Sequence, residues 1–204
     1  MPYSNFKSID DLVKKFGIAI QSGVSLFRQT PEMPVSLELV NMLEDNVPLA
    51  LNINTEKARS ELIIAPILVE VWRALHHTVS LFSGIDFTVD ESRDLAGFCD
   101  FLFSYSPDQA FLQIPVICIV EAKNENIKTG YAQCIAEMLA AQMFNARKGH
   151  PVSRILGCVT TGSNWKFLTL ADHTVCIDFD EYLISQMRKI VGIFVETLQH
   201  LALA

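Results

Sequence analysis

The segment that most constrains the fold is Ile114-Pro-Val-Ile-Cys-Ile-Val-Glu-Ala-Lys-Asn-Glu, which is apolar without a break from Pro115 to Val120 and then turns abruptly charged. An apolar run this short, closed by polar residues, reads as a buried strand over about Pro115 to Ala122. Because side chains alternate along a strand, Glu121 and Lys123 fall on one face. An acid and a base therefore stand side by side where the chain leaves the interior.

An isolated Glu-x-Lys at a strand end is ordinarily no more than a solvated charge pair. The preceding segment, Gly97-Phe98-Cys99-Asp100-Phe101-Leu102-Phe103, changes the weighing, because it sets one acid inside an otherwise apolar strand. A carboxylate there is costly unless it is paired or bound to a metal. If the two strands neighbour each other antiparallel, Asp100 and Glu121 converge and offer the hard oxygen ligands that Mg²⁺ prefers, with water and a substrate phosphate completing its shell. Lys123 would then stand beside a water on the ion.

Around this pair the pattern is α/β. The first fifty residues read as helices, Ser8 to Ile20 and Ser36 to Asp45, with no recognisable chemistry. A long helical pattern opens at Asn54 or Thr55 and runs to about Leu75 with a kink at Pro66. Strands are expected at about Ile85 to Val89, Gly97 to Phe103, Pro115 to Ala122, Ile155 to Thr160, Trp165 to Leu170 and Thr174 to Ile177. Helices are expected at Gly130 to about Ala146 and at Asp180 to about Leu201, the latter with an apolar stripe that reads as core. No linker or repeat divides the chain, so one domain is expected over residues 1–204: a helical extension over 1–53 and a core over 54–204.

Composition narrows the functional classes. The chain has 204 residues, 50% hydrophobic and 19% charged, which suits a packed globular core. Its apolar runs, such as Leu62 to Val69, fall short of the roughly 18 residues of a membrane span, and Met1 to Asp11 does not look like a leader. A cytoplasmic protein with no membrane contact is expected. Five cysteines without a Cys-x-x-Cys read as reduced core thiols. The net charge of −7 sits poorly with nucleic-acid binding and leaves only modest basic candidates, Lys123 with Lys128 and Arg147 with Lys148. His76-His77 reads as two surface or interface histidines on a helix, and Ser163 lacks the context of a serine hydrolase.

In their order these segments resemble the PD-(D/E)XK nuclease superfamily, in which a helical Glu precedes a hairpin bearing Asp, then Glu-x-Lys, then a helix often carrying Gln. Asp100 matches the hairpin aspartate, in Gly97-Phe98-Cys99-Asp100 rather than the usual Pro-Asp. Glu121 and Lys123 match Glu-x-Lys, Gln133 the helical Gln, and Glu61 (or Glu56) the first acid. Asn54 to Leu68 is similar to the opening of the nuclease domain of type I restriction subunits, a likeness that selects Glu56. Val159 to Phe167 is similar to the strand, turn and Trp-bearing strand that follow in those subunits, with Gly162 at the turn and Trp165 in the packing. From about Asn54 to Ile193 the chain resembles a cyanobacterial branch of the superfamily.

The resemblance implies a restriction-endonuclease-like fold, a central mixed sheet flanked by helices, and a Mg²⁺-dependent nuclease that hydrolyses DNA phosphodiester bonds, with Mn²⁺ as the alternative ion. Asp100, Glu121, the Ala122 carbonyl and Glu61 would hold metal, Lys123 would orient or help deprotonate the attacking water, and Gln133 would orient water or substrate. The acidic balance favours a rival expectation: a non-catalytic binding or assembly module of the same fold, acting through protein partners and open to homodimerisation.

Overall fold

Ser8 begins α1 (Ile9–Phe16): its hydroxyl accepts the Asp11 N–H at 3.3 Å while Asp11 accepts the Ser8 N–H at 3.2 Å. Gly17, in the left-handed region at φ 67°, ends the helix, so the expected continuation to Ile20 does not form. The chain extends instead into β1 (Ala19–Val24). The computed structural model describes residues 3–201.

Capped by Ser36, α2 (Leu37–Ile53) continues well past the expected Asp45 and buries Leu39, Leu43 and Ala50. Thr55 caps α3 (Glu56–Arg59), which passes through a π-helical turn (Ser60–Ile64) into α4 (Ala65–Ala74). The expected disturbance at Pro66 takes this form, because proline has no N–H for the Leu62 carbonyl four residues back. The Asn46 side-chain amide donates to that carbonyl instead, at 2.9 Å. His76 and His77 lie beyond the helix rather than on it, both at positive φ, with His77 stacked on Trp72 at 3.8 Å between ring centroids.

The remaining strands are β2 (Ser80–Asp86), β3 (Phe98–Ser104), β4 (Val116–Ala122), β5 (Ile155–Thr160), β6 (Asn164–Ala171), β7 (Thr174–Asp178) and β8 (Tyr182–Leu183). The strand expected from Ile85 starts earlier, because Gly84, at φ 61°, lies inside it rather than before it. Between β4 and β5 runs α5 (Tyr131–Arg147), and α6 (Met187–Leu201) closes the described chain. The helix expected from Asp180 is delayed to Met187, since Tyr182 and Leu183 pair with Trp165 and Asn164 of β6.

All eight strands form one mixed sheet in the order β1-β7-β6-β5-β4-β3-β2, with β8 also on β6. The pairs β1/β7 and β4/β5 are parallel and the others antiparallel. Helices α5 and α1 cover one face; α2, α4 and α6 cover the other. The N-terminal fifty residues, expected as a helical extension, thus supply an edge strand and core side chains. Cys99, Cys118, Cys134 and Cys158 are buried free thiols. Among the described residues no helix is long and apolar enough to cross a membrane.

Candidate active site

The expected antiparallel pairing of the two acid-bearing strands is present. Phe101 lies opposite Val120 and Leu102 opposite Ile119, a register that puts Asp100 opposite Glu121 where the ladder ends. The alternation of β4 sends Val120 and Ala122 toward α4 and α6, and Ile119 and Glu121 toward α5. Asp100 Oδ2 accepts the Ala122 N–H at 2.8 Å, which ties the two strand ends together. A strand residue aims its N–H and C=O at the same neighbour, so the Ala122 carbonyl also faces the Asp100 side.

Beyond Ala122, the Lys123 N–H donates to the Thr160 carbonyl at 2.8 Å and keeps the backbone registered on β5. The Lys123 ammonium donates to Glu121 Oε1 and, at 3.4 Å, to Gln133 Oε1. Gln133 in turn donates from Nε2 to Glu137 Oε1 at 3.1 Å. Gly130 makes this approach possible, because a Cβ there would stand 3.1 Å from Lys123 Cγ and 2.5 Å from Val159 Cγ1. Asp100, Glu121, Lys123 and Gln133 are thus brought together, and Glu137, which the sequence reading passed over, completes the cluster.

The site is dry. Glu121 and Glu137 are both 0% exposed, and each has one carboxyl oxygen with no hydrogen-bond partner. Burial, then the neighbouring Glu137 and Asp100, pushes the Glu121 carboxyl well above the usual carboxylate range. Burial also raises Asp100, against the opposing pull of the Ala122 N–H. Glu137 is pushed up to about 8, chiefly by burial. Burial pulls the Lys123 ammonium down, but the Glu121 carboxylate, with smaller help from Glu56 and Asp100, holds it above its ordinary value. One lysine faces three carboxyl groups, and further positive charge is what would let the carboxyls ionise together.

The two helical acids separate here. Glu56 and Glu61 line one cavity of about 280 Å³ with Ser83, Asp100 and Ala122. Glu61 is paired with Lys57 at 2.9 Å and its side chain is 61% exposed, whereas the charge of Glu56 is felt at Lys123. Neither hydrogen-bonds Asp100 or Glu121. On the other side of α3 a polar cavity of about 360 Å³ is lined by Arg59, Asn124, Asn126, Lys128, Thr161 and Ser163, among others. The turn at Gly162 is at φ 79°, and its carbonyl accepts the indole N–H of fully buried Trp165 at 2.9 Å.

A scan of protein-family models and a search of curated proteins return no match to the chain. Among the described residues no group of three or more His, Cys, Asp or Glu side chains is arranged to hold a metal. Any ion would therefore rely on a smaller protein set: Asp100, Glu121 and the Ala122 carbonyl, completed by water and substrate. These donors are hard oxygens of the kind Mg²⁺ takes, and the buried Glu121 Oε2 has no hydrogen-bond partner of its own. The residues present fit the group. Of the signals that mark the site, Glu137 offered only a faint one, a single acid in the run Cys134-Ile-Ala-Glu-Met-Leu.

Proposed function

We propose that the chain is a Mg²⁺-dependent nuclease of the restriction-endonuclease-like, PD-(D/E)XK kind, hydrolysing phosphodiester bonds of DNA. The observation that carries this reading is the convergence of Asp100 and Glu121 at adjacent strand ends with Lys123 beside them, where burial of the carboxyls favours added positive charge. Asp100, Glu121 and the Ala122 carbonyl would hold the ion, which when bound would supply activation of water and neutralisation of phosphate charge. Mn²⁺ is the alternative ion. Lys123, tethered by Glu121 and Gln133, orients the attacking water and offers an ammonium to developing negative charge. Glu56 or Glu61 acts from the cavity rim.

Cleavage of plasmid and single-stranded DNA with Mg²⁺ or Mn²⁺ tests the proposal. The wild type should cut, and Asp100→Ala and Lys123→Ala should each lose at least about a hundredfold in rate. DNA binding should weaken steeply as salt rises. A folded, metal-binding wild type that cuts no DNA would overturn the assignment.

A second reading is favoured by the surface of α2, where Leu37, Met42, Leu49 and Ile53 are exposed beside a net charge of −7. In that reading the fold is a binding or assembly module with protein partners, a second copy of the chain included. Absence of cleavage together with concentration-dependent association in sedimentation would favour it.

A further inference from the structure

We propose that Glu137 is a positioning residue: by accepting the Gln133 amide N–H it turns the amide oxygen toward the Lys123 ammonium and so holds Lys123 between Gln133 and Glu121. Its consequence for catalysis rests on the nuclease reading above; the positioning itself does not.

Glu137 lies in a layer of α5 where Cys134, Ile135, Ala136 and Met138 are all fully buried. It forms no ion pair among the described residues, and its Oε2 has no partner. For packing alone a methionine would serve better, because a buried carboxyl left half-satisfied costs stability. Besides its hydrogen-bonding neighbour the Cys99 thiol of β3, it accepts from Gln133, a turn earlier on the same helical face.

That bond has a directional effect. A glutamine amide has two ends of nearly equal size, one donating and one accepting, whereas an ammonium only donates. With the amide reversed, its NH₂ would face Lys123 and the contact would become repulsive. Glu137 Oε1 accepts from Nε2 at 3.1 Å, which leaves Gln133 Oε1 facing Lys123 Nζ at 3.4 Å. A carboxyl oxygen accepts in either protonation state, so the lock requires an acceptor at this place rather than a charge. The chain of contacts runs from Glu137 through Gln133 and Lys123 to Glu121, linking helix α5 to the end of β4.

The test uses Glu137→Met, which keeps size and removes the acceptor, and Glu137→Gln, which keeps an accepting oxygen. In the metal-free wild type, ¹H–¹⁵N spectra should show Gln133 side-chain amide protons protected from exchange relative to exposed glutamines, and a Lys123 ammonium signal slowed by its partners. E137M should lose both signatures and, with Mg²⁺, cut DNA about tenfold more slowly, the scale of losing a supporting contact; E137Q should restore most of both. An unprotected Gln133 amide in the wild type, unchanged spectra in E137M, or an E137Q as impaired as E137M would overturn the proposal. Since the spectra need neither metal nor DNA, a wild type that cuts nothing would sink the nuclease reading and leave this one to be decided on its own.

Discussion

Both faces of the central sheet are apolar cores, but only the one toward α5 is interrupted by a cluster of acids. Toward α4 and α6 the contacts are aromatic: Phe194 meets Phe167 at 5.1 Å and Trp165 at 6.1 Å, both edge-on, and Phe103 at 6.4 Å. Toward α5 the ends of β3 and β4 present Asp100 and Glu121 amid apolar residues, met by Gln133 and Glu137 from the helix. Strand β4 takes part in both, since Val120 and Ala122 point one way and Ile119 and Glu121 the other. Buried hydrocarbon stabilises a fold, whereas buried carboxyls with unpartnered oxygens strain it. The difference teaches that the apolar packing of the sheet carries the stability and tolerates, at the ends of β3 and β4, a polar patch that the fold alone does not require.

The largest expected effect tests the first half of this contrast. Phe194→Ala should cost about 3–5 kcal/mol, the usual range for truncating a fully buried aromatic. Urea unfolding measures the loss, and a cost below about 1 kcal/mol would show that the aromatic face is not the frame. Next comes the opposite sign. Replacing the largely buried pair together, Glu121→Met with Lys123→Met, should on the proposed nuclease reading abolish DNA cleavage and leave stability equal or higher by up to about 4 kcal/mol, because a buried ion pair often costs more in desolvation than it returns. A double variant that unfolds more easily than the wild type would make the pair part of the frame and erase the contrast.

How much of this was legible in the sequence follows the same division. Asp100 and Glu121 stood out because each interrupts an apolar strand, and the short apolar runs located β3 to β6 closely. β1 was not legible: Ala-Ile-Gln-Ser-Gly-Val lies at the sheet edge with every residue but Ile20 exposed, and its pairing with β7 spans most of the chain. An edge strand need not alternate, and a parallel partner so distant leaves no local trace. Glu137 was hidden for a different reason, because its significance lies in Gln133 and Lys123, brought to it by the docking of α5 on β4 and β5. The choice between Glu56 and Glu61 was hidden by the π-helical turn, which breaks the 3.6-residue period that would have told which acid faces the strands.

That choice sets the smallest predicted effect and the sharpest. Glu61 spends its charge on Lys57 in an exposed pair, whereas Glu56 adds to the field that keeps Lys123 protonated. If the chain cuts DNA as proposed, Glu56→Gln should therefore slow cleavage several-fold, about the scale of one supporting polar contact, while Glu61→Gln should leave both the rate and the unfolding midpoint close to wild type. Single-turnover cleavage of one defined duplex by the two variants, side by side, compares them without interference from product release. The opposite order, with Glu61→Gln the slower enzyme, would mean that Glu61 leaves Lys57 when substrate and ion arrive. The polar patch would then extend around the rim of the cavity to the π-helical turn itself, and the boundary between frame and site would run through the helix rather than across the strand ends.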